Sequence, residues 1–154
     1  MLRRYAYDKK AFDEPFDGIV YSVMVAMGFA TIENVGYVYQ HGIGTGVMRM
    51  FLSVPAHGSF AVMMGYYVGM AKFKPGMAYV LRTVGIFWAV ILHGSYDTLL
   101  LLGQNGVISA YVSRGLLVTG AFVSYFIGIR LSLTAIKKQQ QLSKELYEQK
   151  LPLL

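Results

Sequence analysis

Four titratable side chains lie in stretches of sequence that are otherwise apolar: Glu33, His57, His93 and Asp97. A titratable group inside hydrocarbon is costly unless it is paired, hydrated or bound to a metal. Asp97 follows His93 by four residues, which places the two side chains on one face of a helix. The four residues therefore indicate a functional site inside a membrane.

Glu33, His57 and His93 come from three different apolar stretches but lie at similar predicted depths. Counting 1.5 Å per residue from the outer helix ends puts Glu33 about 9 Å deep, His57 about 15 Å and His93 about 14 Å. Imidazole nitrogen and carboxylate oxygen bind zinc, and a zinc-activated water becomes a nucleophile near neutral pH. These three residues are therefore predicted to bind a divalent metal, for which zinc is the best candidate. Asp97 would orient the His93 imidazole or join the site, and Asn34 would donate a hydrogen bond to a tetrahedral oxyanion.

Other interpretations of the same residues stay open. A histidine in a membrane helix commonly donates a hydrogen bond between helices, and Asn34 is also suited to a helix-packing contact. Ser95 lies two positions from its histidine neighbour and faces away from it on a helix, which argues against a serine triad. Nine methionines with the histidines could line a path for a soft cation, and Glu33, Asp97 and Arg114 could form an ion or proton relay. The alternatives are therefore a small cation or proton transporter, or a catalytically silent membrane subunit.

The composition is typical of a multi-pass membrane protein. Of 154 residues, 55% are hydrophobic and 14% are charged, and the mean hydropathy is +0.46. About 20 apolar residues cross a bilayer, and four stretches have that length. They are Phe16–Tyr39, Val47–Ala71, Tyr79–Leu102 and Val107–Ile136. The sequence thus predicts an all-α bundle of four transmembrane helices over residues 1–136, and a solvated cytoplasmic tail over 137–154 that continues the fourth helix.

The positions of the basic residues explain the net charge of +6 without a nucleic-acid partner. They gather before the first span, between the second and third spans, and after the fourth. They are Arg3, Arg4, Lys9, Lys10, Lys72, Lys74, Arg130, Lys137, Lys138, Lys144 and Lys150. Because basic loops stay cytoplasmic, both termini are predicted to face the cytoplasm from the cell membrane. Arg114 is predicted about 10 Å inside the fourth helix, where it would pair with Asp97 or Glu33, or snorkel outward.

Several short motifs resemble the PrsW family of intramembrane proteases, which is related to the type II CAAX prenyl endopeptidases. They are Phe16-Asp17-Gly18-Ile19-Val20-Tyr21, Gly28-Phe29-Ala30-Thr31 leading into Glu33-Asn34, Pro55-Ala56-His57 and His93-Gly94-Ser95-Tyr96-Asp97. The resemblance runs from about Phe12 to Asp97 in the expected order, and its FxxxE and HxxxD elements are individually weak but jointly specific. Glu33 matches the family's second motif and His57 its third. His93 and Asp97 match its last motif. The resemblance implies metal-dependent cleavage of a membrane-embedded protein substrate.

The family's first motif has no counterpart in the sequence. That motif is a Glu-Glu pair followed by a lysine on the helix before Phe16, whereas Met1–Phe16 offers Asp8, Asp13 and Glu14 in a polar stretch broken by proline. The chain is interpreted as a truncated or degenerate form of a longer enzyme. Without the paired carboxylates, these 154 residues alone are not expected to have full proteolytic activity. The substrate and the oligomeric state, including a homo-oligomer, stay open.

Overall fold

The computed structural model describes residues 7, 9–104, 106–109 and 111–150. The predicted features at Arg3, Arg4 and Asp8, and the part of the tail after residue 150, lie outside the described residues. Within the described ranges the chain is helical and contains no strand. The helices are α1 Asp17–His41, α2 Ile43–Phe51, α3 Ser53–Phe73, α4 Ala78–Gln104, α5 Gly106–Ser109 and α6 Arg114–Lys150, with a 3-10 turn at Pro75–Met77.

The predicted all-α membrane bundle is confirmed. Within the described residues, four helical segments are long and apolar enough to cross a membrane. They are Asp17–His41, Ile43–Phe73, Pro75–Gln104 and Arg114–Gln149. The third helix, α3, packs against α1, α4 and α6, and its residues Ala56, Phe60, Met63 and Tyr66 lie in the core. Residues placed on α3 therefore meet side chains from all the other spans.

Glycine ends α1 and lets α2 begin at once. Gly42 has φ 83°, and its N–H donates to the Val38 carbonyl at 2.8 Å. With ψ 169°, this conformation is open essentially to glycine alone, because a β-carbon would clash with the backbone. One residue thus separates α1 from α2.

The second span is broken, which the prediction of one helix over Val47–Ala71 missed. The helix α2 ends at Phe51 and α3 begins at Ser53, with Leu52 between them at φ −112° and ψ −67°. Pro55 has no N–H to donate to the Phe51 carbonyl four residues earlier, and its ring crowds that carbonyl. The proline therefore accounts for the interruption between α2 and α3.

The fourth span begins later than predicted. The stretch from Val107 forms a separate short helix, Gly106–Ser109, and α6 starts only at Arg114. The Ser113 hydroxyl accepts the backbone N–H of Leu116 at 3.2 Å and so caps the start of α6. Arg114 is the first residue of α6 and is exposed, so the prediction that it lies well inside the helix is wrong.

Small residues bring α1 and α3 into close contact. Gly18 faces both Gly65 and Gly69, and a β-carbon on Gly18 or Gly65 would collide with the backbone of the other helix. A β-carbon on Gly69 would collide with the Pro15 carbonyl and the Gln139 side chain. The GxxxG pair therefore lies where the helices approach most closely, as glycine pairs do in many membrane bundles.

The C-terminal part of α6 holds the start of α1. Gln139 is fully buried, and its Nε2 donates to the Pro15 carbonyl at 2.6 Å. The Ser143 hydroxyl accepts the backbone N–H of Phe16 at 3.0 Å. The helix continues to Lys150, but its solvated character was predicted wrongly for Gln139 and Ser143, which are buried. The division into a membrane bundle and a cytoplasmic tail stays a prediction.

Candidate functional site

Three helices bring the predicted site residues together. Glu33 of α1 has Oε2 3.3 Å from Nε2 of His57 on α3. The rings of His57 and His93 meet edge to face, with centroids 4.4 Å apart. On α4, His93 Nε2 lies 2.7 Å from Asp97 Oδ2. The four side chains thus form one continuous row across α1, α3 and α4.

One ring nitrogen of His57 is hydrogen-bonded to the backbone, and the other has no hydrogen-bond partner among the described residues. Its Nδ1 is 2.8 Å from the Ser53 carbonyl, which can only accept, so Nδ1 carries the hydrogen. In a neutral ring the lone pair is then on Nε2, and among the described residues this buried atom has no hydrogen-bond partner. A buried polar atom left unpaired costs about 1–3 kcal/mol. Because the neighbouring Glu33 oxygen is also an acceptor, the pair is suited to a cation between them.

The distance within this pair fits a metal ion. Two ligands of a tetrahedral zinc ion with bonds near 2.1 Å are about 3.4 Å apart, and the distance from His57 Nε2 to Glu33 Oε2 is 3.3 Å. The third predicted ligand, His93, contacts His57 but has its Nε2 on Asp97. In the part of the chain that the structure describes, no group of three or more His, Asp or Glu side chains is arranged to hold a metal. The pair fits an ion, and the three-ligand site stays a prediction.

Asp97 is placed to orient His93. The two residues are one helical turn apart on α4, and the carboxylate accepts the Nε2 hydrogen of the ring at 2.7 Å. This bond leaves Nδ1 of a neutral His93 with the lone pair. The Phe60 ring also packs against His93, with centroids 6.1 Å apart. A carboxylate that fixes the tautomer of a histidine is a common partner of metal-binding imidazoles.

Asn34 joins α1 to α2. Its Nδ2 donates to the Gly46 carbonyl at 3.2 Å, and its buried Oδ1 has no partner among the described residues. This geometry favours the helix-packing interpretation of Asn34. Its predicted role as an oxyanion donor stays untested.

Sequence reasoning missed Arg49, which makes the ion pair that was expected of Arg114. Arg49 Nη2 donates to Glu33 Oε2 at 2.7 Å. The guanidinium carbon also lies 3.6 Å from the centroid of the Tyr37 ring. The signal was present, since Arg49 falls inside the predicted span Val47–Ala71, where a charged residue is itself a sign of function.

A cavity of about 650 Å³ opens beside this row of side chains. Its walls are partly polar and partly apolar, and they include Tyr37, His41, Arg49, Ser53, Tyr96 and Asp97. The volume lies within the range of about 300–1,000 Å³ that is usual for ligand pockets. Of the row of four side chains, only Asp97 lines this cavity.

Comparisons with known proteins identify similar sequences. Residues 1–129 match the sequence pattern of a family described as PrsW family intramembrane metalloprotease. The Protease PrsW of Geobacillus kaustophilus is 44% identical over 101 residues, which cover 66% of this chain and 45% of the relative. That of Bacillus subtilis is 40% identical over 102 residues, covering 66% and 47%, and that of Shouchella clausii is 37% identical over 100 residues, covering 65% and 46%. The chain thus spans about half the length of the curated relatives it matches. No solved structure matches it.

Proposed function

This chain belongs to the PrsW family of intramembrane metalloproteases, and from that premise we propose that it carries the catalytic site of an endopeptidase that cleaves a membrane-embedded protein. One observation carries the proposal. The buried, unpartnered Nε2 of His57 faces the Glu33 carboxylate, and the His93–Asp97 pair lies beside it. Such a pair of acceptors inside a membrane is what a cation-dependent hydrolase requires.

Glu33 and His57 would hold the ion, with His93 as a third ligand. Zinc suits these donors, because it binds imidazole nitrogen and carboxylate oxygen and keeps an open position in catalytic sites. A bound zinc ion supplies water activation near neutral pH and polarisation of the scissile carbonyl.

The residues of this chain orient the groups and move the proton. Arg49 and His57 both contact Oε2 of Glu33. The other oxygen, Oε1, can then take the proton of the attacking water. The water oxygen bonds to the peptide carbonyl carbon, the C–N bond breaks, and Glu33 passes the proton to the leaving nitrogen. The second proton of the water leaves the new carboxyl group and also goes to the amine, so the products are a carboxylate and an ammonium group, and one water is consumed. Asp97 keeps the His93 ring in place throughout.

The cavity beside the site suits an unwound segment of the substrate. A transmembrane substrate must lose helical hydrogen bonds before its peptide bond can react, and the freed backbone groups need partners inside the membrane. Arg49, Ser53 and Asp97 on the cavity wall offer such partners. The proposed substrate is therefore a membrane protein with a helix that unwinds locally.

We also propose that the protein lies in the cytoplasmic membrane with both termini in the cytoplasm. The connection between α3 and α4 carries Lys72 and Lys74, whereas Gly42, between α1 and α2, is the only residue of its connection. Basic connections stay on the cytoplasmic side. The site then lies in the outer half of the membrane.

Zinc binding by the purified chain in detergent micelles tests the proposal. The unchanged chain is expected to bind one zinc ion. His57→Gln is expected to bind zinc more than roughly 100-fold more weakly, since losing a residue that only hydrogen-bonds to a metal ligand already lowers metal affinity 10–100-fold. Lys137→Gln is the control, because Lys137 is exposed on α6 and does not line the cavity. It should bind zinc as the unchanged chain does.

Equal zinc affinity in His57→Gln and Lys137→Gln would contradict the proposed site. Binding of copper through methionine, with no zinc bound, would instead support the transporter alternative.

A further inference from the structure

We propose that Arg49 is a positioning residue of this site, which holds the Glu33 carboxylate so that Oε2 faces His57. This inference rests on the proposed function, because it gives Arg49 a part in the same site. It concerns the carboxylate's orientation and leaves the chemical step to Glu33 and its neighbours.

Arg49 is held inside the membrane-spanning part of the chain by one charge partner. It lies on α2, and its side chain is 16% exposed. An arginine at such a position is costly without a partner of opposite charge. The bond of 2.7 Å from Nη2 to Glu33 Oε2 supplies that partner and has the length of a charge-assisted hydrogen bond.

The oxygen that Arg49 binds is also the oxygen that faces His57. Oε2 of Glu33 lies 2.7 Å from Arg49 Nη2 and 3.3 Å from His57 Nε2. When the imidazole is neutral, the lone pairs of Oε2 and of Nε2 repel each other, so a glutamate side chain without another partner would turn away. The guanidinium opposes this rotation, because turning away would break the hydrogen bond to Arg49.

Arg49 is itself held in place. Its guanidinium lies over the Tyr37 ring at 3.6 Å, which is a cation–π contact. Tyr37 stacks in turn on His41, with ring centroids 5.6 Å apart. The bond from Asn34 to the Gly46 carbonyl fixes α2 against α1. A residue restrained on this many sides can orient its partner with little loss of entropy.

Arg49→Gln tests the inference, with Arg130→Gln as the matched control, since Arg130 is an exposed arginine on α6. The readout is the 15N resonance of His57 Nε2 in the metal-free chain in detergent micelles, assigned by its disappearance in His57→Gln. We expect this resonance to shift in Arg49→Gln and to stay unchanged in Arg130→Gln. We also expect zinc affinity to fall roughly 10–100-fold in Arg49→Gln alone.

An unchanged His57 resonance in a folded Arg49→Gln chain would overturn the inference. Should Arg49→Gln unfold, its unfolding temperature is compared with that of the double variant Glu33→Gln/Arg49→Gln. Recovery in the double variant supports the pairing, because neither charge is then left alone, and an equal loss overturns it. Failure of the unchanged chain to bind zinc would contradict the proposed function, while the metal-free resonance would still decide the role of Arg49.

Discussion

The two histidines of the site are oriented by different kinds of partner. His57 donates to the backbone carbonyl of Ser53, one turn earlier on α3, whereas His93 donates to the side chain of Asp97. Both bonds fix the ring and decide which nitrogen keeps its lone pair. Only the second bond can be removed by changing a partner side chain.

Asp97→Asn is expected to weaken zinc binding by roughly 10–100-fold, because the neutral amide holds the His93 ring less firmly than a carboxylate does. Zinc titration of the purified chain measures the effect. Asp13→Asn is the control, since Asp13 is exposed and precedes α1. Identical affinities in the two variants would show that Asp97 does not act through His93.

The lengths of the apolar stretches predicted the ends of the helices well where a span is a single helix. The predicted span Phe16–Tyr39 differs from α1 by one residue at its start and two at its end, and Tyr79–Leu102 differs from α4 in the same way. Hydropathy did not detect the break at Leu52, because the residues on both sides are apolar. It also placed the fourth span too early, because the short helix α5 is as apolar as a membrane helix.

The same limits explain which site residues could be predicted. Glu33, His57 and His93 were found because each lies inside a span, so depth could be counted along one helix. The partner of Glu33 could not be found by counting along one helix, since Arg49 lies on α2 and Glu33 on α1. Contacts between helices depend on rotation and bending, which residue spacing does not contain.

Gly69→Ala is expected to destabilise the bundle by about 1–3 kcal/mol, the usual cost of an overpacked core. Its new methyl group would collide with the Pro15 carbonyl and with Gln139. Gly28→Ala is the control, because no atom lies within 4 Å of a β-carbon built there. The control should be neutral or stabilising by up to about 1 kcal/mol, since alanine is the better helix former.

Thermal unfolding in detergent, followed by circular dichroism, compares the two variants. Equal unfolding temperatures for Gly69→Ala and Gly28→Ala would mean that Gly69 does not pack closely against Pro15 and Gln139.

On the scale of the whole molecule, the site is assembled from spans that share α3 as their centre. His57 lies on α3, while its neighbours Glu33 and His93 come from α1 and α4 on either side. The chain matches about half the length of its curated relatives. Residues 1–129, which match the family, include all four of the predicted titratable side chains.

A chimera tests whether this bundle carries the site of a protease. In it, the 101 matching residues of the Geobacillus kaustophilus relative are replaced by those of this chain. We expect the chimera to cleave a membrane substrate of that relative, and its His57→Gln form to be inactive, because the metal ligand is lost. Cleavage is measured in cells with an epitope-tagged substrate.

A folded chimera that inserts into the membrane without cleaving would contradict the proposal that this segment supplies a complete ligand set. A chimera that still cleaves with His57→Gln would assign the chemistry to other residues.

The helix α6 is longer than a bilayer requires. Its 37 residues extend about 55 Å at 1.5 Å per residue, against a hydrocarbon thickness of about 30 Å. In an upright orientation, about 25 Å of the helix therefore projects into water. Because Gln139 and Ser143 bind the start of α1, this projection cannot pivot independently of the bundle. The start of α1 and the C-terminal part of α6 are therefore expected to keep their relative positions at this end of the bundle.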